Sequence, residues 1–548
     1  MKVLSLIRNF GLAALFLSLL TACFKNDMPY PYVAGTIVDI EVEGALSTEI
    51  DVARNTITLQ MDETVDLSKV RIRSVRFGEE QTWPETSIVG VQDLRKPMYV
   101  MLGTYEEQRY RWKIEAKQTI ERWMNVDNQI GKTIIDEANH RVLFTVSKSV
   151  SLTYLKVTDV KLGPKDITTC EPNLKEISNF KDTTYTVTVS YHDVVQKWTV
   201  LAQISDKNVV MGPVSPRTRK AWIEASGLAG QSNGVRYRQL GETDWREADS
   251  LVVDGGTFQA LLDTLQPLTT YEYLAYTGEE ETEPETFTTE DEVEVPNGSF
   301  EYVTPAGSFY EWYNTAAPLL PEQSAWWGSG NGSKVMGVPG SADMGYVITE
   351  PDESSKVSGD RSAKLISKWA VVKFAAGNLF SGYFAGLVGT AGGKVNFGRP
   401  FTHRPDSLKC WVKYHSGPVN HIHESCPFPT EMGQNDEAQL FIALGNWDYK
   451  KYGGSPECPV QVNTTDMTTK FNPNGEAVIA YGEYTLSQST TVAGGEEGWV
   501  EIAVPFVYKD NFTVPTHIVI SYASSRLGDY FTGSDQSILW VDDVKLVY

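Results

Sequence analysis

Short runs in which Val, Ile, Leu and Thr alternate with polar residues fill residues 35–204, and turn residues separate them. A period of two puts every second side chain on one face, the pattern of a half-buried strand. The stretch "IDVARNTITLQMDETVDLSKVRIRSVRFG" (50–78) lies over "IDEANHRVLFTVSKSVSLTYLKVTDVKLG" (135–163) at a constant offset of 85 residues, Ile50 on Ile135. Each copy then reaches a tryptophan strand, "YRWKIEA" around Trp112 and "QKWTVLA" around Trp198. From 297 to 548 helical spacing is nearly absent and strands are predicted at "SAKLISKWAVVKF", "SLKCWVKYH", "AQLFIALG", "AVIAYGEY", "WVEIAVPFVY", "HIVISYAS" and "SILWVDDVKLVY". In the last of these, Trp540, Asp542, Val544 and Leu546 alternate onto one face, which sets a carboxylate among apolar residues and turns Asp543 the other way. An unpartnered buried carboxylate is too costly to persist. The aspartate pair is therefore catalytic, part of a cation site, or the solvated end of a strand.

These patterns predict an all-β chain: tandem β-sandwiches followed by a jelly roll of about eight strands. The repeat gives two sandwiches of immunoglobulin type, 35–118 and 119–204, with no convergent chemistry in either, so both read as spacers. A third module spans 213–290. There "LQPLTTYEYLAY" resembles the fibronectin type III signature, with Leu265, Pro267, Thr269 and Tyr271 at the spacing of a tyrosine corner. Inside it "GQSNG" (230–234) matches Gly-x-Ser-x-Gly, but a nucleophilic serine needs a helix next, and the strand pattern "VRYRQL" follows instead. Residues 279–296 carry nine acids and two prolines. They hold the last strand of that module and a solvated link to the jelly roll at 294–548.

The chain begins with Lys2 and Arg8, runs apolar from Gly11 to Leu20 and reaches Leu20-Thr21-Ala22-Cys23. A basic start, a short apolar core and small residues describe an export signal, 1–22. Leu-Thr-Ala-Cys resembles the lipobox of bacterial lipoproteins, which makes Cys23 the acylated residue, 23–34 a tether and the membrane a partner through a lipid anchor. The net charge of −22, from 48 basic and 70 acidic residues, argues against nucleic acid and anionic membrane surfaces. Of the other cysteines, Cys426 and Cys458 lie in one region and either form a disulfide or remain two buried thiols.

"NGSFE", "AAGNLFSGYFAG" (375–386), "GRPFTHRPDSLKCWVKY" (398–414), "VIAYGEY" (478–484) and "PTHIVISYASSRLGDYFTGSDQSILWVDDVKLVY" (515–548) together resemble the putative carbohydrate metabolism domain, which ends many bacterial surface lipoproteins. The likeness implies a jelly roll similar to carbohydrate-binding modules, with no agreed catalytic residues. "NHIHESCPFPTEMGQND" (420–436) is longer than that family needs. Related glycan-binding jelly rolls hold a structural calcium between a first-strand Asn-x-x-Phe-Glu and a last-strand Asp-Asp-Val. By that resemblance Glu301, Asp542 and Asp543 are the Ca²⁺ ligands; the alternative is that the aspartates accept backbone amides. Calcium wants six to eight oxygens, so carbonyls would complete the set. Two carboxylates on opposite faces of one strand cannot flank a glycosidic bond, which leaves the pair structural.

Two aromatic loops are candidate sugar platforms: "SAWWGSGNGS" with Trp326, Trp327 and Asn331, and "NWDYKKYGG" with Trp447, Tyr449 and Tyr452. His421 and His423 form a two-nitrogen pair without an evident third ligand. The function these features support is a lipid-anchored outer-membrane or cell-surface protein that binds a polysaccharide or oligosaccharide. The enzyme alternative is a glycoside-active domain with a carboxylate pair among Glu424, Glu431 and Asp436. A structural or adhesive lipoprotein is the third reading.

Overall fold

The repeat of 85 residues in sequence reappears as a repeat of sheets in the computed structural model, which describes residues 34–104, 109–181, 184–313, 325–332, 346–370, 373–389, 391–424, 426–491 and 498–548. Residues 1–22, where an export signal is expected, and Cys23 lie outside the described residues. No helix among the described residues is long and apolar enough to cross a membrane. The chain divides into two units, one of Met1–Glu43, Thr48–Leu59 and Ser68–Ala116, the other of Gly44–Ser47, Gln60–Leu67 and Lys117–Tyr548.

In the first copy, the strand Thr56–Met61 joins a five-stranded sheet with Ala45–Asp51, Arg109–Gln118, Met98–Gly103 and Trp83–Pro84. In the second, Arg141–Ser147 stands at the same place between Ile134–Asp136 and Val194–Ser205, followed by Tyr185–Tyr191 and Thr169–Glu171. The shorter sheets also correspond, Ile37–Val42 with Val70–Phe77 in one and Trp123–Val126 with Val157–Lys161 in the other. Trp112 and Trp198 are both buried at the centre of their sandwiches. Burying such a ring is the largest single apolar contribution a strand can make, and it fixes which face turns inward.

The third module packs Val210–Pro216, Ala221–Ser226, Thr257–Leu262 and Ser250–Asp254 against a sheet built on Asn233–Gln239 and Thr270–Thr277. Tyr271 is buried, and its hydroxyl accepts a hydrogen bond from the amide of Gln266 at 3.0 Å, the tyrosine corner expected from the sequence. The strand at 233–239 begins within "GQSNG", so no helix follows the serine and no nucleophile elbow forms there.

Residues 297–548 form two facing sheets. Five strands, in the order Thr349–Asp352, Ser362–Ile366, Ile538–Val547, Ser407–His415 and Val500–Pro505, make the smaller one. Nine described strands make the larger, its path running Val460–Asn463, Gly392–Phe397, Asn378–Val388, His517–Ala523, Ala438–Gly445, Val478–Leu486 and Val507–Tyr508. Leu440, Ile442, Leu444, Ile518, Ile520 and Tyr522 of the larger sheet meet Leu408, Val412, Leu539 and Val541 of the smaller one in a common core. The larger sheet is apolar on its other face as well: Phe380, Phe397, Ala443 and Val519 build a second cluster there. An antiparallel sheet with one solvated face would alternate apolar and polar. This one does not, so its outer face has a use.

The jelly roll is fastened to the third module by buried charge. Arg404, almost wholly buried, donates to Ser215 Oγ at 2.6 Å, to the Pro216 carbonyl and to the Glu290 carboxylate at 2.9 Å. The Arg217 guanidinium lies between the rings of Trp222, at 4.2 Å, and Tyr508, at 4.0 Å. Lys220 pairs with Asp406, and His403 sits 2.6 Å from Asp291.

Candidate functional site

The outer face of the nine-stranded sheet carries a cleft of about 520 Å³. Its position follows from strand alternation: wherever Leu440 and Ile442 point into the core, Gln439 and Phe441 must point out. Neighbouring strands add Asn378 and Phe380, Val395 and Phe397, Ser521 and Ala523 to the same face. Phe384, Phe471 and Phe531 complete the wall. The Phe441 and Phe471 rings stack at 4.9 Å and 27°, Phe380 meets Phe397 edge-on at 5.1 Å, and the Lys373 ammonium lies 4.1 Å from the centroid of Phe531. Offset and edge contacts of this kind stabilise aromatic clusters beyond the area they bury.

Most polar side chains of the wall make hydrogen bonds within the protein. Asn378 accepts from the Gly330 amide at 2.8 Å and donates to the Ala376 carbonyl at 3.1 Å. Lys373 donates to the Ala391 carbonyl, Thr464 accepts from the Gly393 amide, and Gln439 donates to Glu483. Ser525 donates to Asp436, Arg526 to Glu437, and Asp529 faces the Lys470 ammonium at 3.7 Å. The Tyr346 hydroxyl donates to the Lys368 carbonyl at 3.4 Å. Asp529 holds the only carboxylate among the described residues that line the cleft.

The cleft is built from phenylalanines that the sequence reading passed over, while the residues it singled out lie elsewhere. Trp327 is buried in the sandwich core, and its indole N–H donates to the Pro296 carbonyl at 2.9 Å. Trp326 is partly buried against the same core, its ring 4.8 Å from that of Trp327. Asn331 is buried and structural: its side chain accepts from the amides of Ile348 and Thr349 and donates to the Thr349 carbonyl. Trp447 packs behind the cleft wall against Phe471 at 6.0 Å. Tyr449–Tyr452 form one short helical turn capped by Asp448; Tyr449 is exposed and Tyr452 lines a separate, shallow polar depression with Asp448, Glu476 and Asp510. Both aromatic loops thus spend their tryptophans on packing. The usable signal was instead the double-sided apolar pattern of "AQLFIALG" and "GNLFSGYF".

The acidic closure also differs from its expected form. "NGSFE" is a tight turn and not a first strand; Asn297 and Phe300 have positive φ, and the Gly298 carbonyl accepts from the Val544 amide at 2.8 Å. In the closing strand a bulge at Asp543 sets two residues against one on the partner strand, between the pairs Trp411–Asp542 and Lys409–Lys545. The alternation therefore changes phase: Leu539, Val541 and Val544 face the core, and Trp540 and Asp542 share the other face. Asp542 is wholly buried, accepting from the amides of Val357 at 2.7 Å, Ser358 at 3.2 Å and Asp543 at 2.8 Å. Burial pushes its carboxyl up, and these donors pull it back. Glu301 accepts from the Asp360 amide on the same turn, and Asp543 pairs with Lys545 at 2.7 Å. Among the described residues no group of three or more His, Cys, Asp or Glu is arranged to hold a metal. The donors around Asp542 are N–H groups, which suit a carboxylate and not a cation.

Asp542→Ala is accordingly expected to cost about 1–3 kcal/mol, since it strips the acceptor from part-buried amides. A thermal melt of the full chain with and without EDTA separates the two accounts. Held by amides, the variant melts lower and chelation changes nothing. An EDTA-induced fall that disappears in the variant would put calcium there instead.

The carboxylates of the insertion 420–436 lie away from the cleft lining. Glu424 and Glu431 are exposed, Asp436 is buried, and none of the three lines the cleft. Asp436 accepts from Ser525, Ser537 and the Ser534 amide. His421 and His423 pack edge-on or tilted against Trp369 and Phe531, and burial pushes both imidazoles toward the neutral form. Cys426 and Cys458 are separate buried thiols, with no disulfide between them; the Cys458 sulfur accepts from the buried Arg399 at 3.0 Å.

Residues 299–547, the part of the chain that carries the cleft, match one family, described as "Putative carbohydrate metabolism domain". Solved structures similar to the chain include a putative glycoside hydrolase from Bacteroides thetaiotaomicron, 18% identical over 76% of this chain and 92% of that one, with a TM-score of 0.29. Another, a putative glycoside hydrolase from Bacteroides vulgatus, is 20% identical over 45% of this chain and 96% of that one, with a TM-score of 0.32. The CBM22-1–CBM22-2 tandem of Paenibacillus barcinonensis Xyn10C is 9% identical over 70% and 94% of the two chains, with a TM-score of 0.19. None of these likenesses is close enough to speak for the fold or the function of this chain. No curated protein matches the sequence.

Proposed function

We propose that this protein is a lipid-anchored glycan-binding protein of a bacterial outer membrane or cell surface, its β-sandwich modules carrying a carbohydrate-binding jelly roll. The observation that carries the reading is the aromatic cleft of about 520 Å³ on the outer sheet face of a carbohydrate-related domain. That volume lies within the range of roughly 300–1,000 Å³ typical of small-ligand sites. Flat ring faces give apolar area to the C–H face of a sugar without demanding hydrogen bonds from it. Binding is favoured over hydrolysis because a glycosidase needs two carboxyls about 5–10 Å apart across its cleft, and Asp529 is alone among the lining residues. The anchor is argued from Cys23 and the apolar segment before it.

Two measurements test the parts separately. On a glycan array the full chain should retain at least one glycan that Phe384→Ala, of equal melting temperature, releases; retention of none would remove the glycan reading. In cells, Cys23→Ser should be exported but take up no labelled palmitate, because only the thiol accepts the lipid. Undiminished labelling would end the lipoprotein reading.

A further inference from the structure

The cleft wall is better suited to an apolar ring than to a bare sugar. A pyranose carries hydroxyls around its whole rim, and a buried hydroxyl without a partner is strongly unfavourable. Of the side-chain polar groups lining the cleft, Ser521 alone has no hydrogen-bond partner among the described residues; Lys373, Asn378, Gln439 and Arg526 each give a donor to the protein. Most of the lining is apolar, and much of that is ring surface. The Phe441, Phe471 and Tyr481 rings form a three-membered cluster, with centroids 4.9, 6.2 and 6.4 Å apart. A further flat ring can join such a cluster at ordinary aromatic contact distances. The cavity is also too small for a docked helix or strand of another protein, whose recognition would need a much larger surface.

We infer that the cleft takes an aryl substituent, so that the carbohydrate recognised is one bearing an aromatic group as an aglycone or ester, with the ring in the phenylalanine pocket and the sugar at its mouth. This rests on the glycan reading above and narrows it. Lys373, Arg526 and Asp529, the charged residues of the lining, would meet the sugar.

The test is isothermal titration of the full chain with matched phenyl, methyl and octyl β-glycosides of glucose, galactose, mannose and xylose, and with phenol alone. For at least one sugar the phenyl glycoside should bind tenfold or more tightly than the methyl glycoside. Phe384→Asn, which removes a half-exposed ring, and Ala523→Phe, which fills the cleft from the sheet, should both abolish that difference. Melting temperatures of the same samples identify a variant that has merely unfolded, and the other variant then decides. Equal binding of phenyl and methyl glycosides overturns the aryl inference and leaves the glycan reading standing. An octyl glycoside that outbinds the phenyl one overturns it in favour of an acyl chain. Phenol binding as tightly as every phenyl glycoside keeps the ring site and removes the sugar, and no binding of any probe removes both.

Discussion

Trp327→Ala should cost about 3–5 kcal/mol, the usual toll for truncating a fully buried indole. Its side chain is 1% exposed and lies among Phe300 at 5.4 Å, Trp326 at 4.8 Å and Tyr522 at 6.2 Å. The indole N–H holds the Pro296 carbonyl, so the change also leaves that acceptor without its donor. Because the strand pair Trp327–Ser381 and Gly328–Phe380 depends on this ring staying in place, the Asn378–Val388 strand that floors the cleft should loosen with it. The measurement is urea unfolding of the full chain followed by tryptophan emission, with Trp447→Ala and Trp326→Ala beside it. Trp447, 6% exposed, should also lose stability, and the half-buried Trp326 less than either. If Trp327→Ala unfolds at the parental midpoint yet loses glycan binding, the tryptophan is a ligand platform after all.

Arg404→Ala should be of similar size, about 3–5 kcal/mol, because removing one member of a buried ion pair strands the other charge. Arg404 bonds Ser215, Pro216 and Glu290 at once, and beside it the Arg217 guanidinium is held between two rings. A lysine cannot reproduce the planar fork, so Arg404→Lys should recover little. Calorimetry of the full chain should show the third module and the jelly roll melting together in the parent and apart in the variant, and the link around 290–296 should become easier for a protease to cut. Unchanged melting and unchanged cleavage would mean that the two modules merely touch.

Period-two alternation sufficed for the strands because burial on one face dictates it locally. The tryptophan strands were legible for that reason, the repeat by its constant offset, and the tyrosine corner at Tyr271 by its likeness to the fibronectin type III signature. The cleft was not, since its rings come from residues 374 to 531 and no local period links Phe384 to Phe441, Phe471 and Phe531. Glycine-rich surroundings made Trp326, Trp327 and Trp447 read as loop platforms. Yet a tryptophan in a loop is as free to turn inward as one in a strand, and the small neighbours let it do so. Gly328 is an example: a side chain there would run into the Gly382 carbonyl at 2.5 Å. The alternation around the aspartate pair was not legible either, because the phase changes at Asp543.

That bulge has a bearing on which edits of chain length the domain can absorb. Asp543 sits at φ 51°, in the left-handed region that aspartate tolerates better than most residues, and it supplies the one position by which the closing strand exceeds its partner. Excise it, and Leu539, Val541, Val544 and Leu546 fall into unbroken alternation with Val544 opposite Cys410. Nowhere else in this strand could a residue be removed without turning apolar side chains to the wrong side. A one-residue shortening of the strand is therefore absorbed best at Asp543, where it removes the local bend and the Asp543 amide that Asp542 accepts from.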